Sequence, residues 1–360
     1  MKRVLAAMSG GVDSAVAAAL VAEAGCEVTG VTLKLWCYGD GPSSPRACCT
    51  VEAVEDARQT ARRMGFTHHV VNAEDVFRDR VLQPFARSYA TGRTPYPCAL
   101  CNQHLKFGDL VQRMELVNAD TLVTGHYARI EQLEGGSWAL LRAADRDKDQ
   151  SYALAFIPYS VLPRVRFPLG TLTKDQVRGH AARLGLAVWD KPESQDLCFA
   201  QDKGYAEMVT RQLGAAPEPG PMLDAGGVQR GTHRGLHHYT IGQRRGLGLA
   251  SSDRLYVIAL EPERNAVVVG EREALESFGL VTEPMNWLLP APPAAGRAVL
   301  AQIRYQHSPA QATVFPRADG GVEVRFERPQ TAITPGQSCV LFDGDRVLGG
   351  APIARALPRT

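Results

Sequence analysis

The feature that most constrains the fold is a glycine-rich string near the start of the chain. Residues 8–14 read Met-Ser-Gly-Gly-Val-Asp-Ser, between an apolar run at 2–8 and an alanine-rich run at 13–24 that Gly25 ends. This order predicts a strand, a tight turn and a helix, and the unpaired N–H groups at the start of a helix attract anions. We therefore expect a phosphate-binding loop at the edge of a sheet.

This loop matches neither of the two common phosphate-binding patterns, because the chain contains no G-x-x-x-x-G-K-[ST] and no G-x-G-x-x-G. Ser9 and Ser14 can add hydroxyl donors, and hydrogen bonds to charged groups contribute about 1.5–3 kcal/mol each. Asp13 is an unusual neighbour for a phosphate, and a Mg²⁺ ion between the two would explain it. An ordinary turn is the competing interpretation, but the complete Ser-Gly-Gly-x-Asp-Ser string favours phosphate binding.

Alternating signals extend this unit to a whole domain. Apolar runs at 28–35, 68–72 and 121–124 are typical of strands, and apolar residues three and four apart over 51–64 indicate a helix. Such alternation predicts an α/β, Rossmann-like parallel sheet whose ligands bind at the carboxyl ends of the strands. Three residues fall at those ends: Ser9, Leu33 and Gly125.

The pattern changes near residue 200. Prolines and glycine at 217–221 mark a loop-rich stretch, and from about residue 255 short apolar runs alternate with Gly/Pro/Asp turns. We interpret these runs as a small antiparallel β domain. The predicted domains are a catalytic domain at 1–200, a small central adaptor domain at 201–280 and a C-terminal antiparallel β-barrel at 281–360.

Composition narrows the setting. A net charge of +2 does not by itself predict nucleic-acid binding, so an RNA surface must come from local clusters, of which 230–245 is the most basic. There is no run of about 18 apolar residues, and the glycines and Asp13 interrupt the N-terminal apolar stretch. We expect a cytoplasmic protein without membrane contact.

The chain has eight cysteines, but 360 residues can build their own core and need no disulfide scaffold. Clustered cysteines are therefore better explained by catalysis or metal binding. Cys98 and Cys101 form a C-x-x-C, and Cys198 follows about a hundred residues later. One thiol can carry sulfur as a persulfide, and a second can attack it and end as its disulfide partner. Half of a zinc site is the alternative, but no second C-x-x-C is present.

The remaining cysteines and the charges nearby have simpler interpretations. Cys26 and Cys339 are typical of small core residues, whereas the roles of the other three stay open: Cys37, Cys48 and Cys49. A thiol becomes reactive near positive charge. Three residues could supply that charge: His104, Lys106 and Lys191.

Together these strings resemble one family, the tRNA-specific 2-thiouridylases. The loop is similar to the PP-loop of ATP pyrophosphatases, which split ATP into AMP and pyrophosphate. The other matching strings span nearly the whole chain in order: Pro97-Cys98-x-x-Cys101-Asn102 and residues 106–108, 124–128, 148–152, 191–199, 238–248 and 304–305. The resemblance implies ATP-dependent 2-thiolation of the wobble uridine of tRNA, through an adenylated base.

The resemblance also implies roles for individual residues. It makes Cys101 the nucleophile and Cys198 the persulfide carrier, with a transient disulfide between them and Asp13 as a further catalytic residue. The ATP site should comprise Ala7, Met8, Ser9, Gly10, Gly11, Val12, Asp13, Ser14, Leu33 and Gly125. Contacts with the target base should come from Tyr96, Pro97 and Cys98. Contacts with tRNA should come from His126, Lys148, Asp149, Gln150, Arg304, Tyr305 and Gln337. We expect Tyr152, in contrast, to pack in the core.

The implied partners are tRNA, through its anticodon region, and a persulfide donor such as a cysteine desulfurase or sulfur-relay protein, with ATP and Mg²⁺ as cofactors. One departure matters: many members carry Asp where this chain has Cys98, so the catalytic role of that Asp cannot be transferred. A [4Fe–4S] cluster on Cys98, Cys101 and Cys198, with one iron open for sulfide, is therefore an alternative route. A PP-loop ligase acting on a small molecule is the more remote alternative.

Overall fold

The structure is a computed structural model that describes residues 1–35, 50–192, 199, 204–214, 218–249 and 254–358. Its α-helices are α1 (Val12–Glu23), α2 (Val51–Met64), α3 (Glu74–Phe77), α4 (Gln83–Ala90), α5 (Pro97–Cys101), α6 (Leu110–Arg113), α7 (Ser151–Leu154), α8 (Lys174–Arg183) and α9 (Gly204–Leu213). Its strands are β1 (Arg3–Ala7), β2 (Glu27–Lys34), β3 (Thr67–Asn72), β4 (Thr121–Val123), β5 (Arg129–Gln132), β6 (Trp138–Leu141), β7 (Val165–Arg166), β8 (Gly220–Asp224), β9 (Gln229–His233), β10 (Tyr256–Glu261), β11 (Ala266–Gly270), β12 (Glu276–Thr282), β13 (Asn286–Trp287), β14 (Arg297–Gln302), β15 (Ala310–Pro316), β16 (Val322–Thr331), β17 (Ser338–Asp343) and β18 (Arg346–Ala356).

The N-terminal domain is built on a five-stranded sheet in the order β3-β2-β1-β4-β7, with every pair parallel. β1 lies at the centre, so the loop that follows it is flanked by the ends of β2 and β4. The alanine-rich α1 covers the sheet, and its residues from Val12 to Ala19 are buried apart from Asp13. Small alanine side chains let this helix approach the sheet closely. The predicted Rossmann-like fold is confirmed.

A continuous helical run extends from residue 97 to 117. It starts as α5, widens to a π-helix over Asn102–Asp109, continues as α6 and tightens to a 3₁₀ turn over Met114–Val117. π-helical winding is rare and is often found at functional sites. A second π-helical segment, Arg78–Leu82, precedes α4.

The central part of the chain has a four-stranded sheet of its own, in the order β10-β11-β8-β9. The prediction of one antiparallel domain from residue 255 onward is wrong in this respect, because β10 and β11 belong to this sheet and not to the barrel. Within it β11 pairs with β8 in parallel, an arrangement that joins runs about 40 residues apart. Neighbouring runs in the sequence carried no signal for such a pairing.

The C-terminal domain is an antiparallel barrel. Its strands follow the order β12-β16-β15-β14-β17-β18, and β12 pairs back onto β18 to close it. The hairpin of β5 and β6 from the N-terminal half joins the same sheet through Leu141, which pairs with Arg346. Two barrel strands also contribute buried side chains, among them Val340 and Phe342, to the core of the N-terminal domain. The two domains therefore share one hydrophobic cluster, in addition to the separate cluster inside the barrel.

Polar contacts reinforce this boundary. The Asn286 amide donates to the carbonyls of Ala155 and Ile157, both at 2.9 Å. The segment 93–95 is fixed to the barrel from the other side, where the backbone N–H of Thr94 donates to the Pro335 carbonyl at 2.9 Å. Within the described ranges, no helix is long and apolar enough to cross a membrane.

Candidate active site

The loop after β1 is a tight turn held by its own serines. The backbone N–H of Ser9 donates to Ser14 Oγ at 3.0 Å, and the Ser14 hydroxyl donates to the Gly11 carbonyl at 3.1 Å. Gly10 has φ +73°, and a Cβ there would lie 2.1 Å from the carbonyl oxygen of Ala53 at the start of α2. Only glycine fits this position, so the loop is packed from behind and opens toward the carboxyl ends of the strands.

Gly125, just after β4, contacts the same loop from the other side. A Cβ at this position would lie 2.6 Å from the carbonyl carbon of Asp13 and 2.6 Å from the backbone nitrogen of Ser14. The chain can therefore pass directly against the first turn of α1 only because residue 125 is glycine. This contact brings together two of the predicted ATP-site segments.

Asp13 has partners that the sequence did not reveal. Its carboxylate accepts from Lys174 Nζ at 2.7 and 2.9 Å and from the Tyr127 hydroxyl at 2.7 Å. Lys174 is the first residue of α8, its side chain is only 10% exposed, and the helix is fixed there by a capping box on Thr173. The negative charge of Asp13 thus lies opposite a buried ammonium. Asp13 also faces the cleft described next, where a carboxylate could hold Mg²⁺ beside phosphates.

A cleft of about 230 Å³ opens at this end of the sheet. It brings together the glycine-rich loop, the end of β2, the start of the π-helix and the segment after β4. Its lining residues are Ala7, Met8, Ser9, Asp13, Ser14, Val31, Thr32, Leu33, Leu35, Cys101, Lys106, Leu110, Thr124, Gly125, His126 and Gln150. Of the residues predicted to bind ATP, only Gly10, Gly11 and Val12 are not in the lining, and they form the turn behind it.

The two described cysteines of the predicted constellation lie on α5. Cys101 lines the cleft and is partly exposed, whereas Cys98, one turn earlier, is exposed. Cys198, like Cys37, Cys48 and Cys49, lies outside the described residues. Among the described residues no three His, Cys, Asp or Glu side chains come together as a metal site. Cys339 is buried in the barrel, where burial raises the pKa of its thiol to about 12.

A lysine and a histidine form a pair on the wall of the cleft. Lys106 Nζ lies 3.3 Å from His126 Nε2, and His126 Nδ1 lies 2.7 Å from Thr124 Oγ1. Burial, and then the neighbouring Lys106, hold the pKa of His126 well below its usual value. The imidazole is therefore neutral at physiological pH, and Phe107 and Phe167 pack beside its ring.

Lys191 and His104, the other two residues considered as sources of positive charge near the thiol, do not line the cleft. Lys191 donates to the Gly10 carbonyl at 3.1 Å and pairs with Asp56 of α2 at 2.5 Å, so it supports the loop from behind. His104 follows the cysteine helix, and burial lowers its pKa below the usual value. His104 is therefore a poor source of positive charge at neutral pH.

Three tyrosines meet where the N-terminal domain faces the barrel. Tyr96 contacts Tyr152, at 5.2 Å between ring centroids, and Tyr305, at 6.2 Å and nearly parallel, and the last two rings also contact each other at 6.3 Å. Tyr152 is 2% exposed and donates to the Ser338 carbonyl at 2.9 Å, whereas Tyr305 is 44% exposed. This contrast agrees with the expectation that Tyr152 packs in the core and Tyr305 does not. Pro97, the other residue predicted at the target base, is buried at the start of α5.

The residues predicted to contact tRNA lie in several places. Gln150 and the buried His126 line the cleft, and Arg304 and Tyr305 lie on the barrel rim near Tyr96. Asp149 is turned inward, where its carboxylate pairs with Arg142 at 2.8 Å and accepts from the Ala143 and Ser151 backbone N–H groups. Its neighbour Lys148 is partly exposed. In the structure, Asp149 orders this turn.

Gln337 bridges the barrel and the segment before α5. Its amide donates to the Thr94 carbonyl at 3.0 Å, and Arg93 nearby donates to the Ile353 carbonyl at 3.1 Å and pairs with Glu283. The contact predicted between Gln337 and tRNA would thus involve a side chain that already fixes residues 94–95. The helix that carries Cys98 and Cys101 starts directly after this segment.

The basic run 230–245 lies on and after the central sheet. Arg230 pairs with Asp224 at 2.6 Å, and His233 bonds the Asn265 carbonyl at 2.9 Å. All four arginines of the run are exposed: Arg230, Arg234, Arg244 and Arg245. Part of the run is therefore structural, and part is available as a basic surface.

Sequence reasoning missed several residues of this site. Lys174 had no local signal, because it meets Asp13 only through the packing of α8 on α1. Thr32 was also missed: it donates to the Met8 carbonyl at 2.7 Å and contacts His68 Nε2 at 2.8 Å, which holds the loop to β2. Its position at the end of a strand next to the loop was the only available sign.

Comparison with known proteins matches all three parts of the chain. Family models described as tRNA methyl transferase HUP domain, tRNA methyl transferase PRC-barrel domain and aminomethyltransferase beta-barrel domain match residues 2–202, 207–271 and 277–353. A solved 4-thiouridine synthetase–RNA complex with bound ATP aligns at 17% identity over 59% of this chain and 50% of that chain, with a TM-score of 0.33, too loose a superposition to bear on function.

Two full-length relatives are much closer. A protein of Heliobacterium modesticaldum named tRNA-specific 2-thiouridylase MnmA is 46% identical over 98% of this chain and 93% of its own length. A protein of the same name from Magnetococcus marinus is 45% identical over 97% of this chain and 98% of its own length. Identity at this level over the whole length, together with a family model that spans the entire α/β domain, shows that the chain belongs to the tRNA-specific 2-thiouridylase family.

Proposed function

We propose that the cleft activates O2 of the wobble uridine of a tRNA with ATP and then replaces that oxygen with sulfur delivered by cysteine thiols. Family membership carries the overall reaction, ATP-dependent thiolation of a tRNA uridine. The intermediate, the sulfur donor and the residue roles are the parts that we add. We expect the reaction in the cytoplasm, where thiol reductants can restore the enzyme after each turnover.

The first step is the activation of the base. The uracil O2 attacks the α-phosphorus of ATP, the bond to the β-phosphate breaks, pyrophosphate leaves and the N3 proton passes to water. The product is a base with AMP on O2, which is a far better leaving group than a carbonyl oxygen. Mg²⁺ that arrives with ATP would neutralise part of the phosphate charge, and Asp13 is the carboxylate of the cleft that could hold it. The loop N–H groups and the serine hydroxyls are placed to bind the departing pyrophosphate.

The second step is the transfer of sulfur. A donor protein loads the outer sulfur onto Cys198 as a persulfide, and the Cys101 thiolate attacks the inner sulfur of that persulfide. A Cys101–Cys198 disulfide forms, the outer sulfur takes the electron pair as hydrosulfide, and it attacks C2 of the base while AMP leaves. An external dithiol then reduces the disulfide. Each turnover thus consumes one ATP, one persulfide sulfur and two electrons.

One observation supports this proposal above the others. The glycine-rich loop and Cys101 line the same cleft of about 230 Å³, although they lie on different elements of the domain. A ligase acting on a small molecule would need the glycine-rich loop but not a cysteine thiol in the same cleft. Tyr96, which directly precedes the helix of Cys101, and the exposed Tyr305 beside it are suited to stack on a base that has left the anticodon.

The deciding experiment is a single-turnover assay on rigorously metal-free protein. It contains ATP, Mg²⁺, unmodified tRNA and a chemically loaded persulfide donor, and it follows thiolated tRNA and pyrophosphate together. Both products establish activation and the persulfide route. Pyrophosphate without thiolation shows that activation works but that sulfur delivery needs a component missing from the assay, the cluster being the first candidate. If neither thiolated tRNA nor pyrophosphate forms, the proposed function is contradicted.

Cysteine variants separate the two sulfur routes. Cys101→Ser should still release pyrophosphate with tRNA but form no thiolated product, because the base is activated and the attacking thiol is absent. Cys98→Ser should keep thiolation if persulfide is used and lose it if a cluster needs all three cysteines. Cys26→Ala is the matched control, since this half-buried cysteine packs beside α1 away from the cleft.

A further inference from the structure

The balance of charge in the cleft leaves one residue without a role in the proposed reaction. Among the described residues that line it, only Asp13 and Lys106 carry a formal charge at neutral pH. Asp13 already lies against Lys174, at 2.7 and 2.9 Å. Lys106 has no carboxylate partner in the lining and contacts a neutral imidazole instead. Its positive charge is therefore directed at whatever enters the cleft.

The helix geometry explains how Lys106 comes to face the cleft beside Cys101. The two residues are five positions apart, and in an α-helix such residues lie on different faces. Residues 102–109 are wound as a π-helix, in which groups five apart stand one turn above each other. The wider turn thus places the thiol and the ammonium on the same wall, which agrees with the presence of both in the lining.

His126 holds the ammonium in place without neutralising it. Because its imidazole is neutral, Nε2 accepts from Lys106 Nζ, and the proton stays on Nδ1, which donates to Thr124 Oγ1. The histidine is buried beside two phenylalanine rings, which also contact each other, so its orientation is fixed by packing. A neutral acceptor orients a lysine, whereas a carboxylate would cancel its charge.

The same segment connects Lys106 to the phosphate loop. His126 follows Gly125, which touches the backbone of Asp13 and Ser14 at the first turn of α1. The Lys106 ammonium therefore contacts His126, and the residue directly before His126 lies against the start of α1. The glycine-rich loop itself contains no lysine, unlike a Walker loop.

We propose that Lys106 is a catalytic residue of the activation step, whose ammonium contacts the α-phosphate oxygens while the uracil oxygen attacks and pyrophosphate leaves. The transition state spreads negative charge over these oxygens, and a donor already fixed in position beside them stabilises that charge. The bond that forms joins uracil O2 to the α-phosphorus, and the bond that breaks releases pyrophosphate. Lys106 keeps its proton throughout. This inference rests on the proposed function.

The test is the rate of tRNA-dependent pyrophosphate release in a single turnover, with saturating ATP and tRNA. Lys106→Met should lower this rate by about 10²–10³-fold, the usual effect of removing one such donor, with tRNA affinity within about two-fold of the unmodified enzyme. Lys106→Arg should retain more activity than Lys106→Met. Lys2→Met, at an exposed lysine near the N-terminus, is the matched control and should be unchanged.

Chemical rescue distinguishes a catalytic from a structural role. Methylammonium can occupy the space left by the side chain in Lys106→Met and should restore pyrophosphate release at least ten-fold, whereas tetramethylammonium at equal ionic strength has no N–H donor and should not. The melting temperature of each variant, measured alongside, identifies any loss of fold. If Lys106→Met melts early, the Lys106→Arg and Lys106→Gln rates decide, and equal rates for these two contradict the proposal.

The outcomes also separate this inference from the proposed function. If the unmodified enzyme releases no pyrophosphate with tRNA, the proposed function itself fails. If it does, and Lys106→Met releases pyrophosphate within about three-fold of that rate, Lys106 has no role in activation. A variant that releases pyrophosphate normally but forms no thiolated tRNA would place Lys106 in sulfur transfer and overturn the assignment made here.

Discussion

Replacing Gly125 with alanine tests whether the phosphate loop depends on its contact with the segment after β4. The new Cβ would lie 2.6 Å from Asp13 C and Ser14 N and 2.8 Å from Asp13 O, all backbone atoms. Carbon atoms in favourable contact are about 3.5–4.0 Å apart, so the two segments must separate by about 1 Å. Overpacking of this kind destabilises a protein by about 1–3 kcal/mol, and a 1 Å misplacement can lower a rate about 100-fold.

Two measurements follow from this estimate. Chemical denaturation should show a lower midpoint for Gly125→Ala, and tRNA-dependent pyrophosphate release should slow by about two orders of magnitude. Gly179→Ala is the matched control, because this glycine lies exposed within α8 and a Cβ there meets no atom within 4 Å. That change should stabilise the helix by up to about 1 kcal/mol and leave the rate unchanged.

The reasoning would be refuted by a Gly125→Ala protein with the denaturation midpoint and the rate of the unmodified enzyme. That result would mean that the loop and the segment after β4 can separate without consequence. Loss of stability with a normal rate would retain the steric argument and refute the link to catalysis. An equal effect of Gly179→Ala would show that alanine substitution, and not the contact, is responsible.

Three further predictions concern charge and packing. Lys174→Met should destabilise the protein by about 1.5–3 kcal/mol, since Asp13 loses two charged hydrogen bonds, and in a double-mutant cycle Asp13→Asn should recover part of the loss. Burial lowers the pKa of His68 from 6.5 to about 4, so the unfolded chain binds the extra proton first; stability should fall as pH drops from about 6.5 toward 4, and less so in His68→Gln when unfolding midpoints are compared across pH. Asn286→Ala removes two hydrogen bonds across the boundary between barrel and N-terminal domain and leaves two carbonyls without these donors, which should destabilise by about 1–3 kcal/mol in denaturation measurements.

Much of the N-terminal domain was predictable because glycines mark its turns. The helix expected at 13–24 is Val12–Glu23, and the helix expected at 51–64 is Val51–Met64, capped by Thr50 and ended by Gly65. Apolar spacing and the residues that start and stop helices are local signals, and they survive in the folded protein. The glycine-rich loop and the ends of the strands therefore lie where the sequence predicts them.

The parts that escaped prediction depend on contacts far apart in the chain. Lys174 and Asp13 are 161 positions apart, and the local sequence around each residue gives no sign of their contact. The π-helical winding that turns Lys106 toward the cleft is set by packing, since helix periodicity in sequence does not distinguish 3.6 residues per turn from a wider turn over a few residues. Asp149 was expected to contact tRNA, and its pairing with Arg142 could not be foreseen without knowledge of the turn that joins the two residues.

The hairpin of β5 and β6 has a consequence for how this protein can be rearranged. It is encoded within the catalytic half but lies in the sheet of the barrel, through the pairing of Leu141 with Arg346. A chimaera that exchanges the barrel between relatives at residue 276 would pair the original β5–β6 hairpin with strands of another protein. It would also pack the original N-terminal core against barrel side chains of that protein. A workable graft would have to carry residues 129–141 and the 93–95 segment together with the barrel. For the same reason, we expect the two domains to evolve together, with substitutions on the two sides of this boundary occurring in pairs.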